Sequence, residues 1–168
     1  TAYEIMPSLV GSEMCIRDRA KHVAIRVFVK PEDEESLILE TLKKLVGINS
    51  EDFEKCLKRE EAMGFNERRI IILRVILEKR RLINAFLKNL FSSLTPEDKK
   101  VILNQLESRI DEYCHFYIRL EKDLLLQDIY SLTDTGNCFH IDITLPVYPC
   151  KKEKAKIIAR RIIESFME

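Results

Sequence analysis

The chain has 168 residues, and its 28 lysines and arginines balance 28 aspartates and glutamates, so the formal net charge is zero. Overall charge therefore names no partner, and only the distribution of charge is informative. No apolar run reaches the length of a membrane span and no secretory signal is recognisable, which predicts a soluble, cytoplasmic protein without a membrane partner.

Residues 1–19, TAYEIMPSLVGSEMCIRDR, show neither helical nor strand periodicity. Met14 to Arg19 resembles the translation of a transposase mosaic end used in sequencing libraries. The segment reads as a cloning or assembly scar, expected to be disordered and to contribute nothing to fold or function. Residues 20–168 are then one α+β domain by length, large enough to bury a core. With Cys15 set aside, Cys56, Cys114, Cys138 and Cys150 are scattered without a C-x-x-C pair. Free thiols in a reducing compartment fit this usage better than a disulfide scaffold.

His22 to Lys30 alternates, with Val23, Ile25, Val27 and Val29 on one side and Ala24, Arg26 and Phe28 on the other, as a half-buried strand does. Pro31 is expected to open a helix whose first turn, Glu32 to Glu35, is acidic, with Ile38, Leu42 and Leu45 inward and Gly47 as its stop. Asn49 to Arg69 is weakly patterned; Phe53, Cys56 and Leu57 suit either a short edge strand or a helical turn, and Gly64-Phe65-Asn66 a turn. Ile70 to Leu77 is rich in β-branched residues and reads as a central strand buried on both faces. It passes into a helix with Leu82, Ile83, Phe86, Leu87 and Leu90 inward, and Lys79, Arg80 and Arg81 stand at the junction.

Thr95 then caps a helix with Pro96 at its first position and Ile102, Leu106 and Ile110 in register. Tyr113 to Leu120 and Cys138 to Leu145 alternate as strands, separated by a connector with a short helical piece near Leu124. Lys151 to Phe166 is a last helix, opened by Lys151, Lys152 and Lys154. The fold class expected is α+β: a single antiparallel sheet with helices packed on one face. Two basic clusters, from Arg68 to Arg81 and from Lys151 to Arg161, are expected to face away from the acidic first helix.

Asp134-Thr135-Gly136 matches the D-T-G of aspartic proteases, but a turn with Gly136 at positive φ suits a helix-containing chain better. Cys114, His115, Cys138 and His140 match no common zinc spacing, and the two histidines read as surface residues. With four glycines and no phosphate-binding loop, no cofactor is called for. A nucleic-acid face remains. Arg26 with Phe28, Tyr117 with Arg119 and His115, and His140 with Asp142 and Thr144 each share a strand face, and if those faces coincide the sheet presents cations and rings together. The helix starts at Lys79, Arg80 and Arg81 and at Lys151, Lys152 and Lys154 are a second candidate. Basic residues there oppose the helix dipole, whereas the amides of a helix start favour phosphate.

From about Lys21 to Phe166 the chain resembles the archaeal RNA-binding proteins described as a predicted exosome subunit. The resemblance is carried by Ile25-Arg26-Val27-Phe28-Val29, Leu77-Glu78-Lys79-Arg80-Arg81, Arg109-Ile110-Asp111-Glu112, the run Phe116 to Lys122, Leu132 to Gly136, and Tyr148 to Lys154, in that order. It implies a fold like that of the ribosomal protein that binds 5S rRNA. It further implies a non-catalytic, RNA-binding role in an archaeal cytoplasm, with RNA and exosome or other RNA-processing proteins as partners. Two places depart from the family: Gly64-Phe65-Asn66-Glu67 replaces a Gly-Asn-Pro turn, and Glu121-Lys122-Asp123 stands where Asp-Lys-Gln is frequent. The alternatives are a protein-docking adaptor that uses the acidic helix and, more weakly, a hydrolase built on Asp134.

Overall fold

Alternation at three places and the β-branched run Ile70 to Leu77 become four strands of a five-stranded antiparallel sheet in the computed structural model, which describes residues 20–167. The reading of residues 1–19 as a scar lies outside the described residues. The strands are β1 (His22–Val29), β2 (Leu57–Met63), β3 (Arg69–Leu77), β4 (His115–Glu121) and β5 (Cys138–Thr144), in the spatial order β2-β3-β1-β5-β4. Among the described residues there are seven helices: α1 (Glu35–Val46), α2 (Ser50–Cys56), α3 (Arg80–Ser93), α4 (Pro96–Asn104), α5 (Leu106–Arg109), α6 (Lys122–Leu125) and α7 (Lys152–Glu164). None is long and apolar enough to cross a membrane.

One face of the sheet carries the core. Val23, Ile25, Val27 and Val29 of β1 join Leu73, Val75 and Leu77 of β3, Phe116, Ile118 and Leu120 of β4, and Phe139, Ile141 and Ile143 of β5. Helix residues such as Ile38, Leu42, Phe86, Leu90 and Ile163 close over them in the same cluster. Each large side chain removed from water there contributes about 1.5–3 kcal/mol before entropy is counted. This is the α+β arrangement, one antiparallel sheet with helices on one face, that the periodicities imply.

Several local expectations are corrected. The isoleucine-rich β3 lies second from an edge and β1 holds the centre; Ile72 and Ile76 are only half-buried, on the face the helices leave open. The first helix starts at Glu35 rather than Pro31. Asp33 instead closes a turn, accepting the Lys30 amide at 2.9 Å. Nor do the acidic residues face away from the basic ones: Arg59 grips Glu35 at 2.9 and 3.0 Å, and Arg68 pairs with Glu32. The weakly patterned stretch holds both options at once, α2 capped by Asn49 and then the edge strand β2. The helix after Pro96 breaks at Gln105, and Ile110 joins Phe116 in a β-bridge. Gly136 does not take the positive φ expected of it; Gly47, at 68°, is the positive-φ glycine among the described residues. A Cβ at Gly47 would lie 2.9 Å from the Asn89 side chain, whose amide donates to the Lys44 and Leu45 carbonyls and ties α1 to α3.

The thiol expectation is also corrected. Cys114 and Cys150 form a disulfide across 36 residues, while Cys56 and Cys138 are free. The bond fastens the start of β4 to the approach of α7, a closeness that sequence separation conceals. Lys122, in one of the two segments that depart from the family pattern, is 3 % exposed. Its Nζ donates to Asp33 at 2.6 Å and to the Phe28 carbonyl at 2.7 Å, so it latches the end of β1 to the end of β4.

Candidate nucleic-acid interface

The antiparallel register settles whether the polar strand faces coincide. Lys58 of β2 pairs with Arg74 of β3, Arg74 with Arg26 of β1, Arg26 with His140 of β5, and His140 with Arg119 of β4. Because side chains alternate, these five stand in one row on the face opposite the core. Four interstrand steps of about 4.8 Å make the row roughly 19 Å long. Beside it, on the same face, lie Phe28 on β1 and Tyr117 on β4, the latter in the row Ile76–Ala24–Asp142–Tyr117.

The row is electrostatically unspent at its centre and at its β4 end. Arg26 lies 5.3 Å from the centre of the Phe28 ring, and its buried Nε has no hydrogen-bond partner. Arg119 donates to the Asp134 backbone carbonyl at 3.1 Å. Neither forms an ion pair with a carboxylate among the described residues. The D-T-G bend thus serves as a support for Arg119. Arg74 differs, with Glu60 at 3.4 Å.

Rings beside the row are held at their polar ends. The His115 and Tyr117 rings stack at 6.1 Å, and Tyr117 and His140 meet tilted at 5.4 Å. The Tyr117 hydroxyl donates to Asp111 at 2.8 Å, and His115 Nδ1 lies 2.6 Å from Asp142. Burial, reinforced by the Asp111 bond, pushes the Tyr117 phenol well above its usual range. Burial would also raise Asp111, but the amides of His115 and Tyr113 and the Tyr117 hydroxyl outweigh it and hold the carboxyl below its usual value. His140 is pushed below 6.5 by burial and by the neighbouring charges of Arg26 and Arg119, against a smaller opposing pull from Asp142. His115 and His140 are therefore half-buried parts of a ring ladder on the open face. Among the described residues no three His, Cys, Asp or Glu groups could hold a metal ion.

At the β4 end the face deepens into an open hollow of about 770 Å³. Its floor is Arg26, Arg119, Tyr117 and His140, and its wall is Gln105, Ser108 and Arg109 from the α4–α5 break. Arg109 is gripped by Gln105 Oε1 at 3.0 and 2.7 Å and donates to the Tyr117 carbonyl at 3.3 Å, all neutral acceptors. Burial draws its pKa down from the arginine value.

The helix-start clusters sit at the end of the sheet where β3 and β5 finish. Lys79 and Lys151 occupy the N-cap positions of α3 and α7, and neither helix has a side-chain cap. Arg81 is paired with Asp52 at 3.1 Å and Lys152 with Glu107 at 3.2 Å, while Lys79, Arg80, Lys151 and Lys154 keep no carboxylate partner among the described residues. The disulfide places exposed Tyr113 (70 %) and Tyr148 (96 %) on either side of its ends, beside Lys151.

Sequence reasoning placed Arg26, Tyr117, Arg119 and His140 on candidate strand faces, but not Lys58, Arg74 or Arg109. Arg74 carried a signal, being the one polar residue inside Ile70 to Leu77. Arg109 stood only in a stretch that carries the family resemblance, since its place at the hollow depends on where a helix breaks.

The chain is similar to several archaeal proteins. A curated RNA-binding protein of Pyrococcus abyssi is 27% identical over 148 residues, covering 87% of this chain and 95% of its own length. A crystal structure of a DUF54 protein from Archaeoglobus fulgidus is similar with a TM-score of 0.75 at 29% identity, over 85% of this chain and 99% of that one. A DUF54 protein from Methanothermobacter thermautotrophicus shares the fold, with a TM-score of 0.68 at 24% identity over 86% of this chain and 98% of its own. The family model described as RNA binding matches residues 22–147, which takes in all five strands and the whole cationic row, and the chain belongs to that family.

Proposed function

We propose that the protein binds RNA without catalysing a reaction on it, using the open face of its sheet. The row Lys58–Arg74–Arg26–His140–Arg119, with Phe28 and Tyr117 beside it, is the observation that carries this reading. Phosphates gain from cations that have no carboxylate of their own, and bases gain from rings held at their polar edges. The family and the name of the Pyrococcus relative support the same conclusion. Lys79, Arg80 and Arg81, and Lys151, Lys152 and Lys154, extend the contact beyond the sheet, where the uncapped amides of α3 and α7 offer further donors to phosphate. The archaeal, cytoplasmic setting beside the exosome or other RNA-processing proteins belongs to this proposal, as does kinship with the 5S-rRNA-binding fold.

Titration of a labelled RNA across a range of salt tests it. Binding through three to five phosphates gives a log–log slope of about −2 to −4. A protein-docking adaptor would bind RNA weakly or with little salt dependence. Crosslinking in cells, followed by sequencing of the attached RNA and identification of co-purifying proteins, tests the association with RNA-processing machinery.

A further inference from the structure

We infer that the hollow at the β4 end is a pocket for one unpaired nucleotide, so that the protein selects RNA with a splayed-out base over uninterrupted duplex. The inference rests on the RNA-binding reading and adds the class of RNA. A sheet face by itself could lie against either form of RNA. A hollow walled by Gln105, Ser108 and Arg109 could not be filled by a paired base, which is fixed in its stack. A nucleotide freed from pairing can enter it.

The lining matches the parts of a nucleotide. Arg26, Arg109 and Arg119 converge on it, and none forms an ion pair with a carboxylate among the described residues. Arg26 lines the hollow with its buried Nε unpaired and its guanidinium carbon 5.3 Å from the Phe28 ring centre, so no carboxylate competes with a ligand for its charge. Arg109 is pre-set by Gln105 and the Tyr117 carbonyl, so little freedom is lost when it meets an anion. Tyr117 and His140 give the hollow its π-surface, with the Tyr117 hydroxyl fixed to Asp111. Asp134 and Asp142 also line it. Asp142 is held by His115, and both carboxylates can accept from a base amino group, which orients a base rather than repelling the nucleotide. The three arginines outnumber the two aspartates.

The probes are two RNA hairpins of the same sequence, one fully paired and one carrying a single unpaired nucleotide in its stem. The wild-type protein is expected to bind the bulged hairpin about tenfold more tightly, the scale of one stacked base. Ser108→Trp fills the hollow without removing any charge from the row; it should cut the preference for the bulged hairpin to about twofold or less. In the wild-type protein, 4-thiouridine at the unpaired position should crosslink to the peptide containing Tyr117 or His140, whereas at a paired position it should not. This readout needs no variant to fold. Equal affinity for the two hairpins, or crosslinks only outside the hollow, overturns the pocket while leaving RNA binding standing. Absence of salt-sensitive binding to either hairpin overturns the RNA reading itself.

Discussion

Cations on the open sheet face and cations at the helix starts and latches look alike in sequence, but the structure uses them differently. Lys122 is buried against Asp33 and the Phe28 carbonyl; Arg81 and Lys152 are paired with Asp52 and Glu107. Arg26, Arg109 and Arg119 are held by a ring, a side-chain amide oxygen and backbone carbonyls. A cation matched to a carboxylate has its charge answered within the protein. One positioned by neutral acceptors keeps its charge for a ligand. The first kind should govern stability and the second affinity.

Lys122→Ala is the strongest test of that division. It leaves Asp33 and the Phe28 carbonyl without their partner, at a cost of about 3–5 kcal/mol, or a melting temperature lower by roughly ten degrees or more. Lys122→Met restores the buried volume but neither partner, so it should recover only a small part of the loss, and folded Lys122→Met should bind RNA as the wild type does. Reducing the Cys114–Cys150 disulfide, or replacing both cysteines by serine, comes next. The bond closes a loop across 36 residues, and chain-entropy reasoning assigns it about 4 kcal/mol. A thermal melt with and without reductant measures it.

Arg26→Ala with Arg119→Ala should leave the melt unchanged and weaken RNA binding about thirtyfold, close to 2 kcal/mol. The salt slope should flatten by about 1.4, two phosphate contacts on single-stranded RNA. Arg80→Ala with Arg81→Ala, or Lys151→Ala with Lys152→Ala, should cost about fivefold and flatten the slope by less, because one member of each pair is already matched. A larger loss from these than from the sheet-face pair would reverse the comparison.

The smallest effect concerns His140. Its folded pKa lies below 6.5, so the unfolded chain binds more protons in the window just below neutrality, and stability falls as pH drops through that window. His140→Gln should flatten this slope in a pH series of melts. In the same window RNA affinity should rise, since phosphate favours the charged ring, and His140→Gln should remove the rise.

Alternation made β1, β4 and β5 legible, because one face of each is buried and the other is not. Thr95-Pro96 marked a helix start that the Asp98 amide confirms by donating to the Thr95 hydroxyl at 3.1 Å. Strand β2 was only half legible. Lys58 to Met63 is exposed on both faces, so no apolar period marks it. The candidate site divided the same way. Arg26, Phe28, Tyr117 and Arg119 could be assigned to strand faces, but their alignment with Lys58, Arg74 and His140 depends on register between strands far apart in the chain. The break at Gln105, the disulfide and the Lys122 latch are tertiary facts with no local signature. The acidic turn at Glu32 to Glu35 misled because its carboxylates answer arginines from the β2–β3 hairpin rather than a helix dipole.

Strand β2 has one further consequence. It pairs only with β3, so the outer row of its backbone amides and carbonyls has no strand partner among the described residues. A bare edge of seven residues can recruit other strands, and a chain with zero net charge lacks the general repulsion that would keep copies apart. Lys58-Arg59-Glu60-Glu61 protects this edge locally, as four charged side chains whose hydration an added strand would have to disrupt. The same residues that begin the cationic row thus also guard the sheet against growing sideways, and an apolar replacement there would be read first in light scattering rather than in RNA affinity.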